Sequence, residues 1–101
     1  MNHEKIKIPP DLPEVYSEGI KKTGQIRRIV VDRQKCIGAR ACVIVAEKVF
    51  QVDDQNLAYV TDNIDTTDEE TIRLAAESCP VLAILLYDKS GKQLFPENEN
   101  L

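Results

Sequence analysis

Cys36 and Cys42 bracket a five-residue stretch, Ile37-Gly38-Ala39-Arg40-Ala41, and a third cysteine, Cys79, stands directly before Pro80. If these three thiols act together, both halves of the chain must fold around them, so their spacing constrains the architecture more than any other feature. The small and flexible residues of the first stretch let the backbone wrap closely and turn its amides inward. Three is also an odd number. Intracellular thiols stay reduced, so a disulfide framework explains the cysteines poorly and metal or redox chemistry becomes the natural question.

Several chemistries compete for such a set. Three unconnected buried thiols is the plainest reading, because free cysteine is among the most buried residue types. Against it, chance rarely supplies a Gly/Ala-rich loop with cysteine at both ends together with a Cys-Pro that closes a helix in the other half. A structural zinc site wants a closed tetrahedral shell and usually a gap of about two to four residues in its first ligand pair. Here the gap is five, and the only histidine able to complete a Cys3His set is His3 in the Pro-rich N-terminal stretch. Nucleophilic catalysis lacks a histidine base beside a cysteine. There is no Ser/His/Asp set and no phosphate-cradling loop, so the chain does not read as an enzyme. A cluster containing inorganic sulfide fits the loop best, because converging N–H groups stabilise its negative sulfurs and tune its potential.

At 101 residues and 43% apolar composition the chain supports one compact domain. A domain of this size retains only ~5–15 kcal/mol of net stability, so a bound centre would supply a large share of it. The net charge of −4 is unevenly spread, with nine Lys/Arg against five Asp/Glu up to residue 40 and four against twelve beyond it. An acidic second half repels phosphate backbones and anionic lipid, which argues against nucleic acid and membrane partners and for a basic protein partner. Between Val49 and Ile72 there are seven acidic residues and no Lys or Arg. This face is the expected docking surface, although such runs also serve solubility alone. No apolar run suits a signal h-region or a membrane span, so the expected location is the cytoplasm.

Along the chain, Pro9, Pro10, Pro13, Gly19 and Gly24 mark residues 1–24 as an irregular arm outside the core, dispensable for assembling a metal centre. The domain then occupies residues 25–101, ending in a short tail. Ile26–Asp32 is β-branched and predicts a strand, and Arg40–Lys48 predicts a short buried helix. Val49–Val52 and Leu57–Val60 predict a hairpin about the turn Asp53-Asp54-Gln55-Asn56. A second helix opens on a capping box at Thr66/Glu69 or Thr67/Glu70, carries the stripe Ile72, Ala75, Ala76, Cys79, and is stopped by Pro80. Ala83–Tyr87 predicts the last strand. The expected fold class is α+β in the ferredoxin-like order β-α-β-β-α-β, an antiparallel sheet with two helices on one face. That plan hosts many unrelated activities and settles no function.

From VDRQKCIGARACVIVAEKVFQVDD through AYV to ESCPVLAIL, roughly residues 26–88, the chain resembles the monocluster bacterial ferredoxins, in particular those that feed electrons to haem-thiolate monooxygenases. The family pattern is Cys, two residues, a variable position, two residues, Cys, then a distant Cys-Pro. It is filled here by Cys36, Ala39, Cys42 and Cys79-Pro80. The resemblance implies that Cys36, Cys42 and Cys79 hold an iron–sulfur cluster. Members with cysteine at the variable position look like 4Fe-4S carriers, so Ala39 implies a 3Fe-4S cluster, with a 4Fe-4S cluster held by a non-cysteine ligand at that corner as the alternative. The implied function is one-electron transfer by a monomer between a ferredoxin reductase and an oxidoreductase such as a haem-thiolate monooxygenase. The readings kept beside it are a zinc-stabilised interaction module and an iron or redox sensor. The arm before Gln25 and the tail after Asp88 depart from the family pattern.

Overall fold

Strand β2 (Arg28–Asp32) is the centre of the molecule: its alternation sends Ile29 and Val31 to one face, where both are fully buried. They meet Ile84 and Leu86 of β5 (Ile84–Tyr87), which lies antiparallel to β2 in the register Ile29↔Leu86 and Val31↔Ile84. On that face sits α2 (Glu69–Ser78), whose Ile72, Ala75 and Ala76 are fully buried in the same cluster. Burying a side chain such as Ile72 is worth roughly 1.5–3 kcal/mol. Cys42 of the one-turn helix α1 (Ala41–Val45) and Phe50 of β3 (Phe50–Val52) complete the core beside it. The computed structural model describes residues 8, 9 and 12–97.

The α+β class holds, with both helices on the core side of an antiparallel sheet, and β-α-β-β-α-β is the inner run of the observed order. The central hairpin, β3 with β4 (Ala58–Val60), forms a two-stranded sheet of its own. Two further strands flank the inner run. Residues 16–20, within the stretch expected to be an irregular arm, form β1 (Tyr16–Ile20), which pairs with β2 from Tyr16↔Asp32 to Ile20↔Arg28. The C-terminal tail contributes β6 (Gln93–Phe95) beside β5, giving the sheet order β1-β2-β5-β6.

The physical reason β1 escapes a pattern search is its side chains. Tyr16, Glu18 and Ile20 face outward and are exposed, while Ser17 and Gly19 occupy the inward positions, so no apolar alternation marks the strand. Gly19 is small by necessity, because a Cβ there would lie 2.5 Å from Val60 Cγ1. What holds the strand is the backbone ladder on β2 and the Ser17 hydroxyl, which accepts from the Val60 amide at 3.0 Å.

Helix boundaries also moved. Helix α1 is shorter than Arg40–Lys48 because Arg40 is left-handed (φ 65°) and Ala46 leaves helical geometry (φ −139°). Neither expected capping box caps α2. Its N-cap is Asp68, whose carboxylate accepts from the Thr71 amide (3.3 Å) and hydroxyl (2.8 Å) and is held below the usual carboxylate range chiefly by that hydroxyl. Glu69 instead turns outward to the β1–β2 loop, where it accepts from the Ile26 amide at 2.9 Å. Gly24 (φ 92°) makes room for it, since a Cβ there would stand 1.9 Å from Glu69 Oε2.

Candidate metal centre

The turn after β2 delivers Cys36. Asp32 Oδ1 accepts from the Gln34 and Lys35 amides, and the Asp32 carbonyl accepts from the Cys36 amide at 3.1 Å, which closes the chain back on the strand end. Gly38 follows with φ 72°, and an added Cβ would meet Asn56 Nδ2 at 2.2 Å and the Asn56 carbonyl at 2.6 Å. The loop therefore lies directly against the β3–β4 turn, and only glycine fits there. Arg40, also left-handed, then starts α1 and sets Cys42 in its first turn.

Cys79 arrives from the other half as the C-cap of α2, its amide bonded to the Ala76 carbonyl. The stripe continues from Ile72, Ala75 and Ala76 to this residue, although the helix itself ends at Ser78, ahead of Pro80. A turn from Cys79 to Leu82 (φ 51°) then brings the Ala83 amide back, and it donates to Cys79 Sγ at 3.3 Å. On the opposite side the Ala58 amide donates to Cys36 Sγ at 3.5 Å.

The three cysteines, the loop 37–41, Val52, Ala58 and Pro80 line one pocket enclosing about 300 Å³ of space, its mouth included. All three are free thiols. Burial, aided by the charges of Cys36 and Cys79, pushes the Cys42 thiol up to about 11. The free protein thus holds Cys42 protonated at neutral pH, and ligation must displace that proton. Among the described residues no three His, Cys, Asp or Glu side chains converge as one bound ion requires, and His3 lies outside the described residues.

These residues fit an iron–sulfur cluster: thiol donors, a largely apolar lining, and backbone N–H groups already aimed at two of the sulfurs. Beyond the cysteines the described pocket wall carries no thiol, imidazole or carboxylate, and Ala39, which lines it, is exposed. The two N–H donors were invisible in the sequence, because every residue except proline carries one.

The acidic run divides by task. Asp53 bonds Arg33 Nη2, which holds its carboxyl below the usual range, while Asp65 accepts from the Lys22 amide, Asp68 caps α2 and Glu69 holds the Ile26 amide. Asp54, Asp62 and Glu70 are exposed. No helix among the described residues is long and apolar enough to cross a membrane.

Comparison with known proteins points the same way. The family described as "4Fe-4S single cluster domain of Ferredoxin I" matches residues 31–86. A ferredoxin of Thermococcus litoralis is 39% identical over 57 residues, covering 56% of this chain and 93% of that protein. Ferredoxin fas2 of Rhodococcoides fascians is 33% identical over 67 residues, which cover 65% of this chain and only 22% of fas2. In structure, the crystallographic ferredoxin I from Desulfovibrio africanus superposes with a TM-score of 0.53 at 32% identity, over 57% of this chain and 91% of that one.

Proposed function

This chain belongs to the single-cluster ferredoxins, iron–sulfur electron carriers rather than enzymes, and from that premise we propose that Cys36, Cys42 and Cys79 are its only protein ligands and that the cluster is 3Fe-4S. The observation that carries this reading is the pocket itself: three thiols line it, and among the described residues its remaining wall offers no fourth thiol, imidazole or carboxylate. When bound, the cluster supplies a one-electron couple whose potential follows cluster type, net charge and hydrogen bonds to sulfur. The chain's own residues do the rest. Val52, Ala58 and Pro80 give the site an apolar lining, and the Ala58 and Ala83 amides offset negative charge on Cys36 and Cys79. A single zinc ion is the weaker reading, since the described lining offers three thiols and no fourth ligand for the closed tetrahedral shell of structural zinc.

Ala39 is the corner that decides the cluster type, because its methyl group holds no iron. The oxidised protein, purified without oxygen, is expected to show the odd-electron EPR signal of a three-iron centre and an iron-to-sulfide ratio of about three to four. Ala39→Cys is expected to permit conversion to a four-iron cluster with a changed potential. An intact four-iron cluster in the unaltered protein overturns the three-iron assignment and leaves the electron carrier standing.

The carrier works as a monomer in the cytoplasm, taking electrons from a ferredoxin reductase and passing them to an oxidoreductase such as a haem-thiolate monooxygenase. Reducing surroundings suit its three free thiols. Docking uses the acidic face, of which Asp54, Asp62, Asp65, Asp68 and Glu70 are exposed. Association with a basic partner should then slow steeply as salt is raised, because screening acts over a Debye length of ~8 Å at physiological ionic strength. An association rate that is flat with salt removes this face from docking.

A further inference from the structure

Arg33 is neither a proposed ligand nor part of the core, yet it is only part-exposed and turns both Nη atoms to the hairpin that walls the pocket. Its Nη2 donates to Asp53 Oδ2, at the start of the β3–β4 turn, and the Arg33 side chain keeps only 16% of its surface exposed. Its Nη1 donates to the Ala58 carbonyl at 2.9 Å and reaches the Leu57 carbonyl at 3.5 Å. The Leu57 carbonyl and the Ala58 N–H belong to one peptide group, and that N–H is the donor to Cys36 Sγ. The peptide is planar and polarises as a unit, so a cation drawing on its oxygen sharpens the N–H at its other end. The Asp53 amide donates to the same Leu57 oxygen at 3.0 Å, adding pull in the same direction.

We propose that Arg33 is a positioning residue for the redox couple: it locks the β3–β4 turn so that the Leu57–Ala58 peptide aims a polarised N–H at the Cys36 sulfur, and thereby raises the reduction potential. The proposal rests on Cys36 being a cluster ligand. The sign follows from charge. Adding an electron makes the cluster and its sulfurs more negative, so a donor aimed at sulfur stabilises the reduced state more than the oxidised one. Loss of that donor, or of its polarisation, disfavours reduction. The lock has three parts, and each is local to the site: the Arg33–Asp53 ion pair, the Arg33 bond to the Ala58 carbonyl, and the Gly38 contact that seats the cysteine loop on Asn56.

The test is a potentiometric titration of the holo protein, with iron and sulfide content measured on every sample. In Arg33→Leu the reduction equilibrium should weaken by about tenfold, a downshift of about 59 mV for one electron. Arg33→Lys keeps a cation that reaches one partner at a time and should recover part of the shift. Arg33→Gln keeps a carbonyl-directed donor without the charge and should fall between Leu and wild type; it also serves if Arg33→Leu takes up no cluster. Lys35→Gln removes a neighbouring exposed cation and should move the potential far less, which separates hydrogen-bond positioning from charge alone. A purely structural Arg33 would lower Tm in the variants and leave the potential of their intact clusters where it was, and that result overturns the proposal. A wild-type protein that binds no iron and sulfide, or a Cys36→Ala variant with the wild-type spectrum and potential, overturns the ligand assignment and this inference with it.

Discussion

Cys42→Ala is expected to abolish the visible absorption of the cluster and to leave a protein that melts far below the holo form. The free energy of cluster binding is also folding free energy, because the unfolded chain cannot preform a site whose proposed ligands come from α1, the end of α2 and the turn after β2. Cys42 is the deepest of the three, 7% exposed within the core cluster. Alanine in its place removes little volume, so packing alone predicts a minor effect. The discriminating comparison is therefore made twice. With cluster present in the parent, the variant should lose at least about 3 kcal/mol, a drop of roughly 12–24 °C in Tm for a domain of this size. Between the two apo proteins the difference should nearly vanish, since the apo thiol is neutral and buried. Calorimetry of the four samples decides it. Equal midpoints for holo parent and variant would mean that the centre does not contribute to the fold.

A chain shortened to begin at Gln25 is expected to fold poorly and to hold less cluster. The cut removes β1, and with it the ladder on β2, the Ser17–Val60 bond, the Lys22–Asp65 bond and the Val15 carbonyl that accepts from the Arg33 amide at 3.0 Å. It also strips Glu18 from Arg28, a guanidinium on the sheet's outer face that is 5% exposed and whose Nε has no partner among the described residues. Removing one member of a fully buried ion pair costs about 3–5 kcal/mol, and here only the Arg28 side of the pair is buried, Glu18 being exposed. Water reaching Arg28 after the cut softens this, so a loss on the order of 3 kcal/mol is expected, again roughly 12–24 °C in Tm. The bare edge of β2 should in addition promote aggregation. Unchanged midpoint and iron content in the shortened protein would show that β1 is only an ornament on the sheet.

The chain carries two kinds of information, one in its side chains and one in its backbone. The cysteine spacing was legible because ligand chemistry is carried by side chains, and Cys36, Cys42 and Cys79 do line one pocket. The inner elements were legible because their codes are local. β-branched residues mark β2, the turn at Asp53 bonds the Gln55 and Leu57 amides to its own carboxylate, and Pro80 bars α2 from continuing. Where several local signals compete, the reading slipped. Thr66, Thr67 and Asp68 are all able caps, and Asp68 prevails because Glu69 is drawn away to the Ile26 amide across the β1–β2 loop.

By itself, then, the sequence pointed to the three cysteines that share one pocket and determined the inner β-α-β-β-α-β run. Only the tertiary structure decided that residues 16–20 and 93–95 close the sheet on both sides, that the hairpin stands as a separate sheet, and that Arg33 reaches the peptide whose amide meets Cys36. The physical reason is the same in each case. Edge pairing and N–H···S bonds are made by backbone groups that almost every residue carries, so their partners are chosen by which chain segments the packed core brings within reach.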